Sequence, residues 1–285
     1  MTLLVQLTDT HIVEPGKRLY DRADTAAHLA DAVIQINAMQ PPADLVMITG
    51  DLVEDPRPET YTHFARLIEP LQAPVHLLPG NHDDPRLMSA LFRQTALFPA
   101  AEPTYQYTIE TYPFRILALN SHFDGSELPT FGEQRLAWLQ SALAESGRPT
   151  LIAIHHPPMR TGVEFIDMVG ADWFEGIARV ISHQPQVELV ICGHGHTDIV
   201  GRIGSVPVYM AGSTAHQLVA ARGNAHAPGF DDRPVAPVLH HWLGDAFVSG
   251  SHPWPAWVDD RRIDKESGLG WDELKDRMRG SMRQE

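Results

Sequence analysis

The chain holds one cysteine, Cys192, in 285 residues. A lone thiol cannot form an intrachain disulfide, and the count fits a reducing compartment. Cys192 closes an apolar run beside Gly193, where a small buried hydrophobe is a simpler reading than a reactive thiol. Long apolar runs are also missing. None approaches the roughly 18–20 residues that a membrane-spanning helix needs. The opening segment, Met1 to Asp9, has neither a basic stretch nor a small-residue cleavage site. We therefore expect no signal peptide and a cytoplasmic protein without membrane partners. Basic residues are few: 22 Lys and Arg stand against 36 Asp and Glu, a net charge of −14. A general nucleic-acid binder needs a basic stripe, so that class is disfavoured. An acidic surface also repels anions. A phosphate ligand would need a local positive charge, which a pair of divalent cations could supply.

The hydrophobic fraction of 43% is that of a globular protein, and 16 histidines is a high count for this length. Short apolar runs alternate with segments of helical spacing. Helices are expected over Asp24–Met39, with an N-cap at its start, and over Glu59–Leu71, Glu133–Glu145 and Asp172–His183. A further helix should begin near Pro85. Runs such as Leu45–Ile48 are apolar throughout, as in strands covered on both faces. Tyr105–Glu110 with Phe114–Asn120, and Ile199–Ile203 with Val206–Met210, read as antiparallel hairpins. Parallel βα units mixed with hairpins point to a mixed-sheet α/β sandwich. After Met210 the texture changes. Residues 223–237 read as a long loop, Val238–Trp242 and Ala246–Ser249 as one more hairpin. The end of the chain carries Trp254, Trp257 and Trp271 beside a charged tail. The expected division is a catalytic domain over 1–210 and a C-terminal extension over 211–285. That extension would finish the core and supply a lid or an oligomerisation element.

Five apolar runs end in polar motifs: Asp9-Thr10-His11, Gly50-Asp51, Gly80-Asn81-His82-Asp83, His155-His156-Pro157-Pro158 and Gly193-His194-Gly195-His196. Singly, each has a bland reading as a loop carboxylate, a turn or a capping histidine. Five strand ends that deliver carboxylates, imidazoles and an amide to one edge describe a two-metal centre. In an extended segment, Asp9 and His11 would point to one side, as would His194 and His196. Neighbours diverge, so only one of His155 and His156 should bind metal directly; we expect His155, with His156 supporting the loop or the substrate. The donor mixture suits Mn²⁺, Fe²⁺/Fe³⁺ or Zn²⁺ better than Ca²⁺.

This motif series resembles the calcineurin-like metallophosphoesterase superfamily, and most of all its class III cyclic nucleotide phosphodiesterase and glycerophosphodiesterase branch. The likeness extends to Lys17–Tyr20, Gly50-Asp51-Leu52-Val53, Gly80-Asn81-His82-Asp83-Asp84 and Gly212-Ser213-Thr214-Ala215-His216-Gln217, and covers about residues 2–220. The resemblance implies a four-layer αββα sandwich with two divalent metal ions at the loop end of its sheets. It implies Asp9, His11, Asp51 and His196 around one ion, and Asp51, Asn81, His155 and His194 around the other. It makes His82 the catalytic histidine, and Asn81, His82, His156 and His216 the candidate substrate contacts. The reaction implied is hydrolysis of a small phosphodiester by a metal-bridging hydroxide, with His82 protonating the leaving alkoxide. A 3′,5′-cyclic nucleotide such as cAMP is the first expectation. The alternatives are a glycerophosphodiesterase, a broad phosphomonoesterase and a non-catalytic scaffold. No Lys or Arg falls within the motifs, which favours a monoanionic diester over a monoester. A scaffold would usually lack a ligand. A homo-oligomer, most simply a two-fold dimer, is expected.

Overall fold

The computed structural model describes residues 1–219, 228–251 and 267–279. Their strands are β1 (Thr2–Leu7), β2 (Leu45–Thr49), β3 (Val75–Leu78), β4 (Tyr107–Ile109), β5 (Arg115–Ala118), β6 (Thr150–Ala153) and β7 (Val187–Cys192). There follow β8 (Ile199–Ile203), β9 (Val206–Met210), β10 (Gln217–Val219), β11 (Gly229–Asp231), β12 (Val238–Trp242) and β13 (Phe247–Ser251). The helices are α1 (Thr25–Asn37), α2 (Pro58–Ile68), α3 (Pro85–Phe92), α4 (Glu133–Ala144), α5 (Glu164–Asp167), α6 (Asp172–Ile181) and α7 (Trp271–Arg279).

Two mixed sheets form the centre. The first has the order β13-β12-β1-β2-β3, and the second β4-β5-β6-β7-β9-β8. β1, β2 and β3 run parallel; β12 lies antiparallel beside β1, and β13 pairs antiparallel with β12 at the edge. β5, β6, β7 and β9 run parallel, flanked by antiparallel β4 and β8. Strand alternation divides the packing. Leu151 and Ala153 of β6, with Leu189 and Ile191 of β7, pack in one core with the first sheet. Ile152, Val190 and Cys192 face the other way, into a second core with Leu139 and Leu143 of α4 and Ile177 and Ile181 of α6. Leu29, Val33 and Ile36 of α1 and Tyr61, Phe64 and Ile68 of α2 cover the first sheet. The result is the expected helix–sheet–sheet–helix layering, in which central strands are buried on both faces and so are apolar throughout.

Local chemistry sets the element ends. Asp24 caps α1 through its carboxylate, which accepts from the Ala27 amide at 3.1 Å. Asp84 caps α3, and Pro85 occupies its first turn. α2 stops at Ile68, short of the expected Leu71, because Pro70 has no N–H with which to continue the helical ladder. The expected loop over 223–237 is corrected in part. Gly229–Asp231 pairs with Gln217–Val219 as β11 and β10, and Phe230 there stacks on the His216 ring at 4.6 Å. Residues 223–227 lie outside the described residues. The expected last hairpin is present as β12 and β13, and it joins the first sheet.

The chain divides into two compact units, Met1–His252 and Pro253–Glu285. In the second, α7 carries Trp271, which is exposed within the described residues. Trp254 and Trp257 fall outside them. Among the described residues no helix is long and apolar enough to cross a membrane.

Candidate metal centre

Each sequence motif begins where a parallel strand stops. β1 ends two residues before Asp9, β2 two before Asp51, β6 two before His155 and β7 two before His194. The expectation that Asp9 and His11, and again His194 and His196, converge by strand alternation does not hold. Both pairs lie beyond their strands, with left-handed backbone: φ is 51° at Asp9, 41° at His11, 70° at His194 and 47° at His196. Asp51 has φ 49°. Non-glycine residues pay a steric cost there and keep it only where surrounding contacts over-determine them. Those contacts are present. The amides of Asp9 and His11 donate to the carbonyls of Gly50 and Asp51, at 3.0 and 2.9 Å. The strained turns aim the side chains inward.

The donors converge as the motifs predict. Asp51 Oδ2 lies 3.5 Å from His11 Nε2 and 3.3 Å from His155 Nε2, so one oxygen stands between the two halves of the cluster. Asp9 Oδ1 is 3.2 Å from His196 Nε2, which is itself 3.2 Å from His11 Nε2. On the other side, Asn81 Oδ1 sits 3.0 Å from both His155 Nε2 and His194 Nδ1. The outer nitrogens of three histidines are each held. His11 Nδ1 meets Glu54 Oε2 at 2.8 Å, His155 Nδ1 the Thr49 carbonyl at 2.8 Å, and His196 Nδ1 the His216 carbonyl at 3.0 Å. Such partners orient the ring and leave Nε2 facing the centre. Glu54 was not singled out from sequence. It follows Asp51 by three residues in a Leu-Val-Glu run that carries no motif of its own.

Burial and charge pull against one another. Burial raises the Asp9 carboxyl, but His196 and His155 overcome this and hold it below the ordinary range. Asp51 is likewise raised by burial and then pulled well below that range by His155, His11 and His82. Burial lowers His11, yet its bond to Glu54 and the nearby Asp51 and Asp9 raise it to about 8. His155 is lowered by burial and raised overall to about 9 by Asp51. His194 drops to about 3 through burial and the neighbouring His155. Two buried carboxylates thus hold positive charge about themselves, as they would around cations.

His82 lies at the rim. Its Nδ1 is 3.1 Å from the Glu54 carbonyl, its amide donates to Asp51 Oδ1 at 2.9 Å, and its Nε2 is 3.7 Å from Glu127 Oε2. It opens on a cavity of about 340 Å³ whose lining includes Glu54, Asp55, Asp84, Asp124, Glu127 and Asn81. Among the described residues no Lys or Arg lines that cavity, and Arg86 beside it is bonded to two of its carboxylates, Asp84 and Asp124, at 3.3 and 2.9 Å. Asp83, also part of that lining, is buried and accepts from the amides of Gly80 and Leu52 and from Tyr61 Oη. His156 has Nδ1 2.8 Å from Ser121 Oγ, its ring packs 4.4 Å from that of His194, and its Nε2 is buried without a hydrogen-bond partner among the described residues. His216 packs 4.3 Å from His196 and 5.8 Å from His11.

The donor set fits two divalent cations. Asp9, His11, Asp51 and His196 present ligand atoms all within 4.8 Å of one another, and so do His155, His156 and His194. Carboxylates, imidazoles and one amide oxygen suit borderline cations. Two imidazole nitrogens facing each other at 3.2 Å, and an amide oxygen shared by two more, make sense around an electrophile.

The comparisons agree with this geometry. The sequence model of the calcineurin-like phosphoesterase family matches residues 2–198. The chain is 30% identical over 84% of its length, and 88% of the relative's, to a probable glycerophosphodiester phosphodiesterase, GpdQ, of Arcobacter nitrofigilis. It is 29% identical to the 3′,5′-cyclic adenosine monophosphate phosphodiesterase CpdA of Pseudomonas aeruginosa, over 81% of this chain and 79% of that one. Among solved structures it resembles a dimetal phosphatase from Danio rerio, with TM-score 0.61 and 15% identity over 88% of this chain and 99% of that one. That likeness speaks to the fold.

Proposed function

This chain belongs to the calcineurin-like phosphoesterase family, and on that footing we propose a dinuclear-metal phosphodiesterase that hydrolyses a small monoanionic phosphodiester. The observation that carries the reading is Asp51 Oδ2, placed between His11 Nε2 and His155 Nε2 so that one carboxylate serves both half-sites. Asp9, His11 and His196 complete one half-site; Asn81, His155 and His194 complete the other. Two divalent cations held there, Mn²⁺, Fe²⁺/Fe³⁺ or Zn²⁺, would supply Lewis acidity toward the phosphate and make water a nucleophile near neutral pH.

The chain's own residues do the rest. Glu54 and the Thr49 and His216 carbonyls fix the rings of His11, His155 and His196. His82 keeps Nδ1 on the Glu54 carbonyl, so Nε2 is the atom that passes a proton to the leaving oxygen. Asn81 donates its amide N–H to Glu127 at 3.3 Å and thereby turns its oxygen to the centre. His156 and His216 flank the two half-sites as further substrate contacts. Among the described residues, carboxylates line the cavity beside His82, and the nearby Arg86 is paired with two of them, Asp84 and Asp124, so the cavity stays acidic. A phosphomonoester, with one more negative charge, meets repulsion there that a diester with a neutral or cationic alcohol avoids.

A 3′,5′-cyclic nucleotide such as cAMP is the first substrate candidate, in keeping with the cyclic-AMP relative. The acidic cavity favours a second, a glycerophosphodiester, in keeping with the GpdQ relative. Turnover of cAMP, glycerophosphodiesters and p-nitrophenyl phosphate by the Mn²⁺-loaded enzyme decides. Diesters should lead by at least tenfold in kcat/KM. A preference for the monoester would overturn the reading. We further place the protein in the cytoplasm, as a homo-oligomer assembled through residues beyond about 211. Sedimentation as a monomer would refute that assembly.

A further inference from the structure

One chain of buried polar groups, none of them a metal ligand, lies in the interface between the two sheets. Gln6 of β1, Thr49 of β2 and His240 of β12 are almost wholly inaccessible. Ladder register puts all three on one face of the first sheet: His240 pairs with Leu4, two residues from Gln6, and Met47 pairs with Gln6, two residues from Thr49. Gln6 Nε2 lies 2.9 Å from the Cys192 carbonyl, in β7 of the second sheet, and 2.9 Å from Thr49 Oγ1. Gln6 Oε1 lies 3.0 Å from His240 Nε2, and His240 Nδ1 lies 2.7 Å from Ser249 Oγ.

The direction of every bond follows. A carbonyl only accepts, so the Gln6 amide nitrogen must face Cys192 and its oxygen must face His240. His240 Nε2 must then carry the proton. Burial lowers His240 to about 3, so the ring is neutral and Nδ1 accepts from the Ser249 hydroxyl. The Thr49 hydroxyl is left to donate to the Leu7 carbonyl at 3.4 Å. Thr49 is also the residue whose carbonyl receives His155 Nδ1, at 2.8 Å.

The two sheets deliver different ligands, and each half-site draws on both. Asp9, His11, Asp51 and Asn81 follow strands of the first, and His155, His194 and His196 follow strands of the second. Metal sites tolerate donor displacements of only about 0.2 Å. Apolar burial between sheets is non-directional and sets no offset so finely. A bridging amide bonded on both sides does, because a slipped register leaves buried polar atoms unpaired, at about 1–3 kcal/mol each.

We propose that Gln6 and His240 are positioning residues for the dinuclear centre, their one-way hydrogen-bond chain holding the two sheets at the offset that brings both sets of ligands together. The inference rests on the two-metal reading above, and the experiment separates the two. Mn²⁺ titration of the metal-free wild type should give two equivalents, with an exchange-coupled Mn–Mn signal in electron paramagnetic resonance. Fewer than two would refute the two-metal reading itself. With two bound, His240→Leu and Gln6→Met should weaken Mn²⁺ binding about tenfold or more and alter the coupled signal, at temperatures where circular dichroism shows them folded. His240→Gln, whose amide N–H can still donate to Gln6 Oε1, should come within about threefold of wild type. Wild-type affinity and signal in His240→Leu and Gln6→Met, or a His240→Gln as weak as His240→Leu, would overturn the positioning role. Should the single variants fail to fold, the double variant Gln6→Met/His240→Leu decides, because replacing both partners with apolar groups of similar size leaves neither of the two unpaired and costs little stability. A folded double variant that binds Mn²⁺ about tenfold or more weakly supports the positioning role, and one with wild-type affinity and coupling overturns it.

Discussion

At the scale of the residue, charge and proton position separate the roles of neighbours. Asp51→Asn keeps the size of the side chain and removes the charge that faces two imidazoles. It should lose at least one metal equivalent by elemental analysis, and activity by about a hundredfold or more. A variant that keeps two ions and near-normal turnover would deny Asp51 the bridging place. His82 stands at the rim, bonded through Nδ1 to a backbone carbonyl. His82→Ala should keep both ions yet slow hydrolysis of alkyl diesters by about 10²–10⁴-fold. Activated aryl esters, whose leaving groups need little protonation, should suffer far less. Equal losses on both would leave His82 without its acid role.

At the scale of the element, the loops after the strands matter more than the strands. The turn after β7 passes so close to the first sheet that a Cβ on Gly193 would run into Thr8 Oγ1 and Asp9 Oδ2. Thr8 Oγ1 donates to Asp9 Oδ2 at 2.7 Å, and Asp9 Oδ2 also accepts from the His194 amide at 3.0 Å. Gly193→Ala should therefore destabilise the protein by about 1–3 kcal/mol and weaken metal binding with it. Gly147, with nothing within 4 Å of its Cβ position, is the control. Gly147→Ala should stay within about 0.5 kcal/mol of wild type. Thermal melts and Mn²⁺ titrations of the two variants are the measurement, and equal effects would show that close approach at Gly193 is unimportant.

At the scale of the whole molecule, the buried histidines make stability depend on pH from both sides. His194, His216 and His240 are depressed to about 3, burial being the largest cause for each. Between that value and the ordinary 6.5 the unfolded chain binds more protons, so stability is complete above about 6.5 and is lost as pH falls. His11 and His155 are raised to about 8 and 9. Their contribution is complete below about 6.5 and is lost as pH rises through 8 to 9. Calorimetry of the metal-free protein should show its highest melting temperature between about pH 6.5 and 8. Added Mn²⁺ should stabilise more as pH rises, because cation and proton compete for the same imidazoles. A metal-free melting temperature that climbs steadily to pH 10 would contradict these assignments.

Much of this was legible in the chain itself. Runs of apolar residues ended by Gly, Asn or Asp marked β1, β2, β3, β6 and β7, and the polar residues just beyond them are the donors that meet at the centre. Asp24 and the Asp84-Pro85 pair announced helix starts, because capping is chemistry within one turn of chain. What the sequence could not convey lies in contacts across the fold. Glu54 orients His11 from 43 positions away, and the Gln6 amide reaches Cys192 across 186 residues and His240 across 234. Periodicity and propensity describe neighbours along the chain, and nothing in them distinguishes a bridging glutamine from any other polar residue in a strand. The left-handed turns at Asp9, His11, Asp51, His194 and His196 belong to the same class. Their backbone cost is borne only because two packed sheets hold them, so only the tertiary structure decides where those side chains point.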